Sequence, residues 1–185
     1  MMRSMPKTRL EAFSDGVIAI IITIMVLELR PPHGVEVSDL LDVLPIWLRY
    51  ALSFVYVGIY WVNHHALLDR VTKVDGAALW ANLHLLFWMS LIPFVTAWAG
   101  EHPTAPVPGA LYGAVLLLCS VSFLLLSWRL KSEGAGQAMA WGSRKNRLSI
   151  VLYAVAIGVS LAWPPLGAAI HVVLALLWLV PESRN

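Results

Sequence analysis

Arg9, Ser14 and Asp15 stand at the mouth of Val17-Ile-Ala-Ile-Ile-Ile-Thr-Ile-Met-Val-Leu27, a run long and apolar enough for a membrane helix. A charged side chain is expensive there, and persists where it pairs, binds an ion or carries a proton. Arg9 and Asp15 are six residues apart, about 120° around a helix, so they are no i,i+4 pair. Asp15 therefore takes its partner from another segment. His64, His65, Asn82 and His84 fall at matching depth. As a hydrogen-bonded pin the carboxylate would fix one packing of three helices, because leaving it unpaired in lipid costs several kcal/mol. As a proton-binding group it would be the working residue of a proton-coupled secondary transporter, with the same histidines as relays.

The six histidines do not make a metal or haem centre. His64 and His65 are adjacent and point about 100° apart on a helix, and no span holds an H-x-x-x-H pair or a carboxylate-flanked His pair. For His33, His102 and His171 a solvated or hydrogen-bonded histidine is expected. No cluster of nucleophile and base occurs, so neither an enzyme nor a resident cofactor is expected. The lone Cys119 sits in an apolar run and forms no disulfide framework.

The elements that position these residues follow from composition. With 59% hydrophobic residues, 13% charged and a mean hydropathy of +0.73, the chain has the composition of a polytopic membrane protein. Uncharged blocks predict six spans in a single domain over 1–185, roughly at 9–29, 43–65, 76–100, 106–129, 146–163 and 166–181. The last two are separated by Trp163-Pro164-Pro165-Leu166-Gly167, a sequence that ends a helix and turns the chain. The basic N-terminus resembles a signal peptide, but Leu27-Glu-Leu-Arg-Pro-Pro offers no small-residue cleavage site, so the first span is read as uncleaved.

With the N-terminus inside, eleven Lys and Arg residues fall on inner segments and only Arg30 and Arg49 on outer ones, which predicts cytoplasmic termini and a multi-pass protein of the cell membrane. Glu28, Glu36, Asp39, Asp42 and Glu101 gather at the outer ends, where a negative rim raises the local cation concentration. Most of the nine Trp residues lie near span ends, as an aromatic belt requires. The basic stretch 129–147 reads as a loop against anionic lipid. Nothing suggests nucleic-acid binding.

On a helical wheel Arg9, Phe13, Gly16, Ile20, Thr23 and Leu27 form one stripe along the first span, while Ser14 and Asp15 point away from it toward neighbouring helices. The spacing R-x-x-x-F-S-D, from Arg9 through Phe13, Ser14 and Asp15, resembles the signature of the transmembrane protein 175 family, potassium channels of lysosomes and prokaryotes. Trp61-Val-Asn-His64-His65, Asn82-Leu-His84 and Leu91-Ile-Pro93-Phe94 resemble the second and third helices of the same family, so the likeness covers about half the chain.

That resemblance implies an all-α, six-span subunit, four subunits around one axis, and a pore lined by the first helix of each. By position after Phe13 it puts the narrowest ring at Ile20, then Thr23 or Ile24, then Leu27. Rings of Ile and Leu gate by dewetting, and Thr23 hydroxyls would transiently meet potassium. No Thr-Val-Gly-Tyr-Gly filter occurs, so modest potassium selectivity among monovalent cations is expected. An Ile/Leu stripe at helical spacing is also what a packed core face looks like.

Overall fold

The computed structural model describes residues 5–132 and 144–179; most of the basic segment near the inner loop, with Gly134, Gly136 and Trp141, lies outside them. Eight helices and one two-stranded ribbon are described. In chain order they are β1 (Met5–Pro6), α1 (Lys7–Leu27), α2 (Val37–Asp42), α3 (Leu44–Leu68), β2 (Lys73–Val74), α4 (Gly76–Ser90), α5 (Ile92–Glu101), α6 (Pro106–Ser132), α7 (Arg144–Ala162) and α8 (Pro164–Leu179).

The helix ends follow local chemistry. α1 stops short of Arg30-Pro31-Pro32, where proline forbids continuation. Asp75 caps α4, its carboxylate accepting from Ala78 N–H at 2.7 Å. Glu36 and Asp39 form a reciprocal capping box around the short α2 between α1 and α3, an element with no distinct signal in the sequence. α7 and α8 meet at Trp163, and Pro164 takes the first position of α8, where its missing N–H costs nothing.

Three stretches are long and apolar enough to cross a membrane: Lys7–Leu27, Gly76–Glu101 across a break, and Pro106–Leu130. Leu148–Ala162 and Pro164–Leu179 are shorter apolar helices. α3 is longer, 25 residues, but Arg49, Asn63, His64 and His65 dilute its apolar character.

One expectation needs correcting. The third predicted span is not a single helix: α4 ends at Ser90 and α5 begins at Ile92. Pro93 cannot donate to the carbonyl one turn earlier and its ring crowds that turn, so the ladder shifts register. Leu91 stays in the right-handed helical region, its N–H donating to Trp88 O and its C=O accepting from Val95 N–H. The result is a kink, not an unwound segment.

α1 packs on α3, α4 and α5, whereas α6 packs on α4, α5 and α7, and α8 closes against α7. The core runs between them through Met25, Tyr56, Leu68, Leu85, Met89, Ile92, Tyr112 and Leu116, all below 2% exposed. α1 thus lies at the margin of the subunit and contributes one face. That face is Leu10, Ser14, Ile18, Ile21 and Met25, at spacings of three and four.

The N-terminal end of α1 is stitched to the α3–α4 corner. β1 pairs antiparallel with β2, Met5 opposite Val74 and Pro6 opposite Lys73. Lys7 Nζ donates to Leu68 O at 3.2 Å and to Asp69 Oδ1 at 3.3 Å, a cation at the carbonyl end of α3.

Candidate functional site

The signature residues divide among four places. The first is a buried chain of hydrogen bonds joining three helices. Asn82 Nδ2 on α4 donates to Ser14 Oγ on α1 at 3.0 Å, and its Oδ1 lies 2.7 Å from His64 Nε2 on α3. In this orientation of the amide, His64 carries its proton on Nε2 and donates. Ser14 and Asn82 are completely buried and His64 nearly so. Each bond adds about 1 kcal/mol net, but breaking one strands a buried polar group at about 1–3 kcal/mol.

Ser14, not Asp15, is therefore the buried pin. Asp15 is exposed, and its Oδ1 accepts from Trp61 Nε1 at 3.0 Å, not from any histidine or from Asn82. Ser14 lies almost opposite the stripe and faces the helices behind it, while a step of 100° carries Asp15 onto the flank. A hydroxyl is also far cheaper to bury than a carboxylate. His65 joins this flank: its ring stacks on Trp61 with centroids 6.3 Å apart, and its Nε2 lies 3.4 Å from Asp69 Oδ2. Asp15→Asn keeps an oxygen for Trp61, so we expect it to cost the subunit less than about 1 kcal/mol in a thermal melt. A loss of several kcal/mol would restore the carboxylate as the pin.

His84 forms the third place. Ser122 Oγ donates to Leu118 O at 2.6 Å, so its oxygen accepts from His84 Nδ1 at 2.9 Å, while His84 Nε2 accepts from Trp88 Nε1 at 3.1 Å. The residue is exposed, bridges α4 to α6, and does not meet Asp15. Trp88 stands one turn from His84, an i,i+4 spacing that a helix brings together, whereas Ser122 lies on a helix whose position the sequence does not reveal.

The stripe occupies the side of α1 opposite its core face. Ile20 is 57% exposed, Ile24 42% and Leu27 79%; Phe13, Arg9, Gly16 and Thr23 are exposed too. The stripe is thus not a packed core face of the subunit. Thr23 Oγ1 donates to Ile20 O at 2.9 Å within the helix, which commits its proton and leaves oxygen lone pairs turned outward. Ile18, on the opposite face, is 2% exposed and belongs to the core.

Among the described residues no three His, Cys, Asp or Glu side chains gather as a metal site. His171, expected to be solvated or hydrogen-bonded, is fully buried, its ring edge to face with Tyr112 at 5.2 Å between centroids. Another buried polar chain runs from Thr96 Oγ1 to Ser53 Oγ at 2.7 Å and on to Tyr112 Oη at 3.0 Å, with Arg49 over the Tyr112 ring. Isolated Ser, Thr and Tyr residues in apolar runs gave no sign of it.

Comparison with known proteins bears on this arrangement. Residues 9–93 match the family model described as endosomal/lysosomal potassium channel TMEM175. A protein of Chryseobacterium sp. named as a potassium channel is 46% identical over 184 residues, covering 97% of this chain and 96% of the relative. Another from Streptomyces collinus, also named as a potassium channel, is 33% identical over 183 residues, covering 91% and 89%. The crystal structure of a lysosomal potassium-selective channel TMEM175 homolog from Chamaesiphon minutus superposes with a TM-score of 0.79 at 32% identity, over 94% of this chain and 96% of that one.

Proposed function

Since the chain belongs to the TMEM175 family, we propose that it is a potassium channel of the cell membrane whose conduction path runs along an axis shared by four copies, lined by α1 of each. The exposed stripe carries this reading. Lipid would cover the apolar side chains of that face equally well, but the stripe also carries the exposed Arg9 and the Thr23 hydroxyl, and a ring of identical helices gives these a shared path in place of lipid. Ile20 forms the narrowest ring, Thr23 or Ile24 the next, and Leu27 the outermost. The rings exclude water until they widen, and Thr23 oxygens replace part of the hydration shell of a passing potassium ion. Potassium sheds water more readily than sodium, so modest selectivity follows without a carbonyl cage.

The subunit crosses the bilayer six times, in the order α1, α3, α4 with α5, α6, α7, α8. Both termini are cytoplasmic, because the inner segments hold eleven of thirteen Lys and Arg residues. The outer acids, including Glu101 within 3.8 Å of Arg30, form the cation-attracting rim.

The test is ion flux in liposomes reconstituted with the purified protein, together with its mass in mild detergent. Potassium should pass faster than sodium, an impermeant organic cation should not pass, and the mass should correspond to four subunits. Flux that demands a proton gradient would favour a transporter working through Asp15 and the histidines. A conducting monomer would end the shared-axis reading.

A further inference from the structure

A slot of about 410 Å³, counted to its open side, runs between α3, α6, α7 and α8, away from the stripe on α1. Buried rings form its floor: Tyr56 and Tyr60 from α3 and Tyr153 from α7. Half-buried side chains form its rim, among them Ile59, Ser120 and Trp178. Asn63, also on the rim, is seven residues from Tyr56 along α3, so the slot follows that helix for about 10 Å. A space of that length and volume has a cross-section of about 40 Å², too narrow for a second helix about 10–12 Å across. It has room for an extended chain.

The donors around the slot are engaged elsewhere. Tyr56 Oη donates to His171 O at 2.6 Å, Tyr60 Oη to Leu116 O at 3.3 Å, Asn63 Nδ2 to Ile59 O at 2.7 Å and Trp178 Nε1 to Ser149 Oγ at 2.9 Å. What these residues leave for an occupant is mainly ring and aliphatic carbon, which hydrocarbon covers at a gain and water at a cost.

One end of the slot lies at a membrane edge. Trp178 stands one residue from the end of α8, and α7 opens with Arg144-Lys145-Asn146-Arg147. Lys145 Nζ sits over the Trp178 ring, 4.8 Å from its centre. Whichever edge of the indole borders the slot, the ammonium is no further from the rim than that distance and half the ring's length together. The glycerol and phosphate of a lipid headgroup bridge such a gap. A basic helix end beside an apolar slot complements an anionic amphiphile, whose phosphate stays at the surface while its chain runs inward.

We propose that the slot holds an acyl chain of an anionic phospholipid, with the phosphate beside Lys145. A zwitterionic lipid offers the same chain but carries its own cation, so preference for a net negative headgroup marks the site. An occupant touching four helices stabilises the folded subunit by linkage. The inference rests on the membrane setting alone and stands whether or not the axial path conducts as described above.

The purified protein would be stripped of lipid in detergent and given phosphatidylglycerol, phosphatidylcholine with the same chains, or free oleate, then followed by native mass measurement and thermal melting. Phosphatidylglycerol should be retained at one molecule per subunit and raise the melting midpoint by several degrees. Phosphatidylcholine and oleate should each bind several-fold more weakly. Ser120→Phe and Ile59→Trp, which fill the slot from different helices, should each lose the retained lipid, and either serves if the other does not fold. Lys145→Gln should bring phosphatidylglycerol down to the level of phosphatidylcholine. Phosphatidylcholine or oleate retained as well as phosphatidylglycerol, lipid persisting in a folded slot-filling variant, or an unchanged headgroup preference in Lys145→Gln would each overturn the proposal.

Discussion

Ile20→Asn should raise potassium conductance several-fold in reconstituted liposomes. A ring of isoleucine side chains holds no hydrogen-bond partner for water, so a passage of that width empties and closes to ions; an amide at the same radius keeps it wet. In the four-fold assembly proposed above, symmetry would repeat the change in every subunit, which is why one substitution should have a large effect. Thr23→Val is its complement. It removes the outward oxygen while keeping the side chain's shape, and should narrow the preference for potassium over sodium with little change in stability, because the hydroxyl's one bond goes to its own helix. Val26→Asn is the reference substitution: Val26 is 47% exposed but lies about 100° round the helix from the stripe. Ile18 cannot serve, since a polar group there would disrupt the core. Equal effects at Ile20 and Val26, or none at either in an assembled channel, would mean that ions pass elsewhere.

Asn82→Leu should be the most damaging single change to the subunit itself. It removes the amide that partners two neighbours at once and leaves Ser14 Oγ and His64 Nε2 buried without it. Two stranded groups at about 1–3 kcal/mol each amount to a loss of several kcal/mol. For a chain of this length, that lowers the melting midpoint by on the order of 10 °C. Tetramer yield should fall with it, because α1 is held in place through Ser14. His65→Ala, exposed and only flanking Trp61, should cost little. A midpoint for Asn82→Leu close to that of the parent would show that the three helices are fixed by apolar packing alone.

What could be read from the residues and what could not differ for a physical reason. The two sides of α1 are legible because a regular helix converts spacing into direction: Ser14 and Ile20 separate by arithmetic. The boundary between α7 and α8 is legible because proline acts locally. Which flank of α1 is buried was not, since that depends on where α3 and α4 stand; hence Asp15 was expected in the core and Ser14 occupies it. The kink at Leu91 is written in Pro93, but an apolar run on both sides disguises it as one unbroken helix. β1 and β2 are two residues each, too short for any periodicity, and exist because the corner after α3 returns beside the start of α1. Arg49 and His171 come from helices far apart in the chain and meet only through Tyr112.

The distribution of directional bonds along α1 has a mechanical meaning. Lys7, Ser14 and Asp15 tie the helix to α3, α4 and the corner between them; beyond Asp15 its described hydrogen bonds to side chains stay within the helix, and only apolar surface holds it. Such surface slides, whereas hydrogen bonds do not. α1 is a cantilever, clamped over its first two turns and free to lean above them. Leu27 stands about 20 Å beyond Ser14 and Ile20 only about 9 Å, so one small lean swings the outer ring about twice as far as the inner. The two closures of the path would then be unequal by leverage alone: an outer one loosened by slight tilting, and an inner one, nearer the clamp, that yields last.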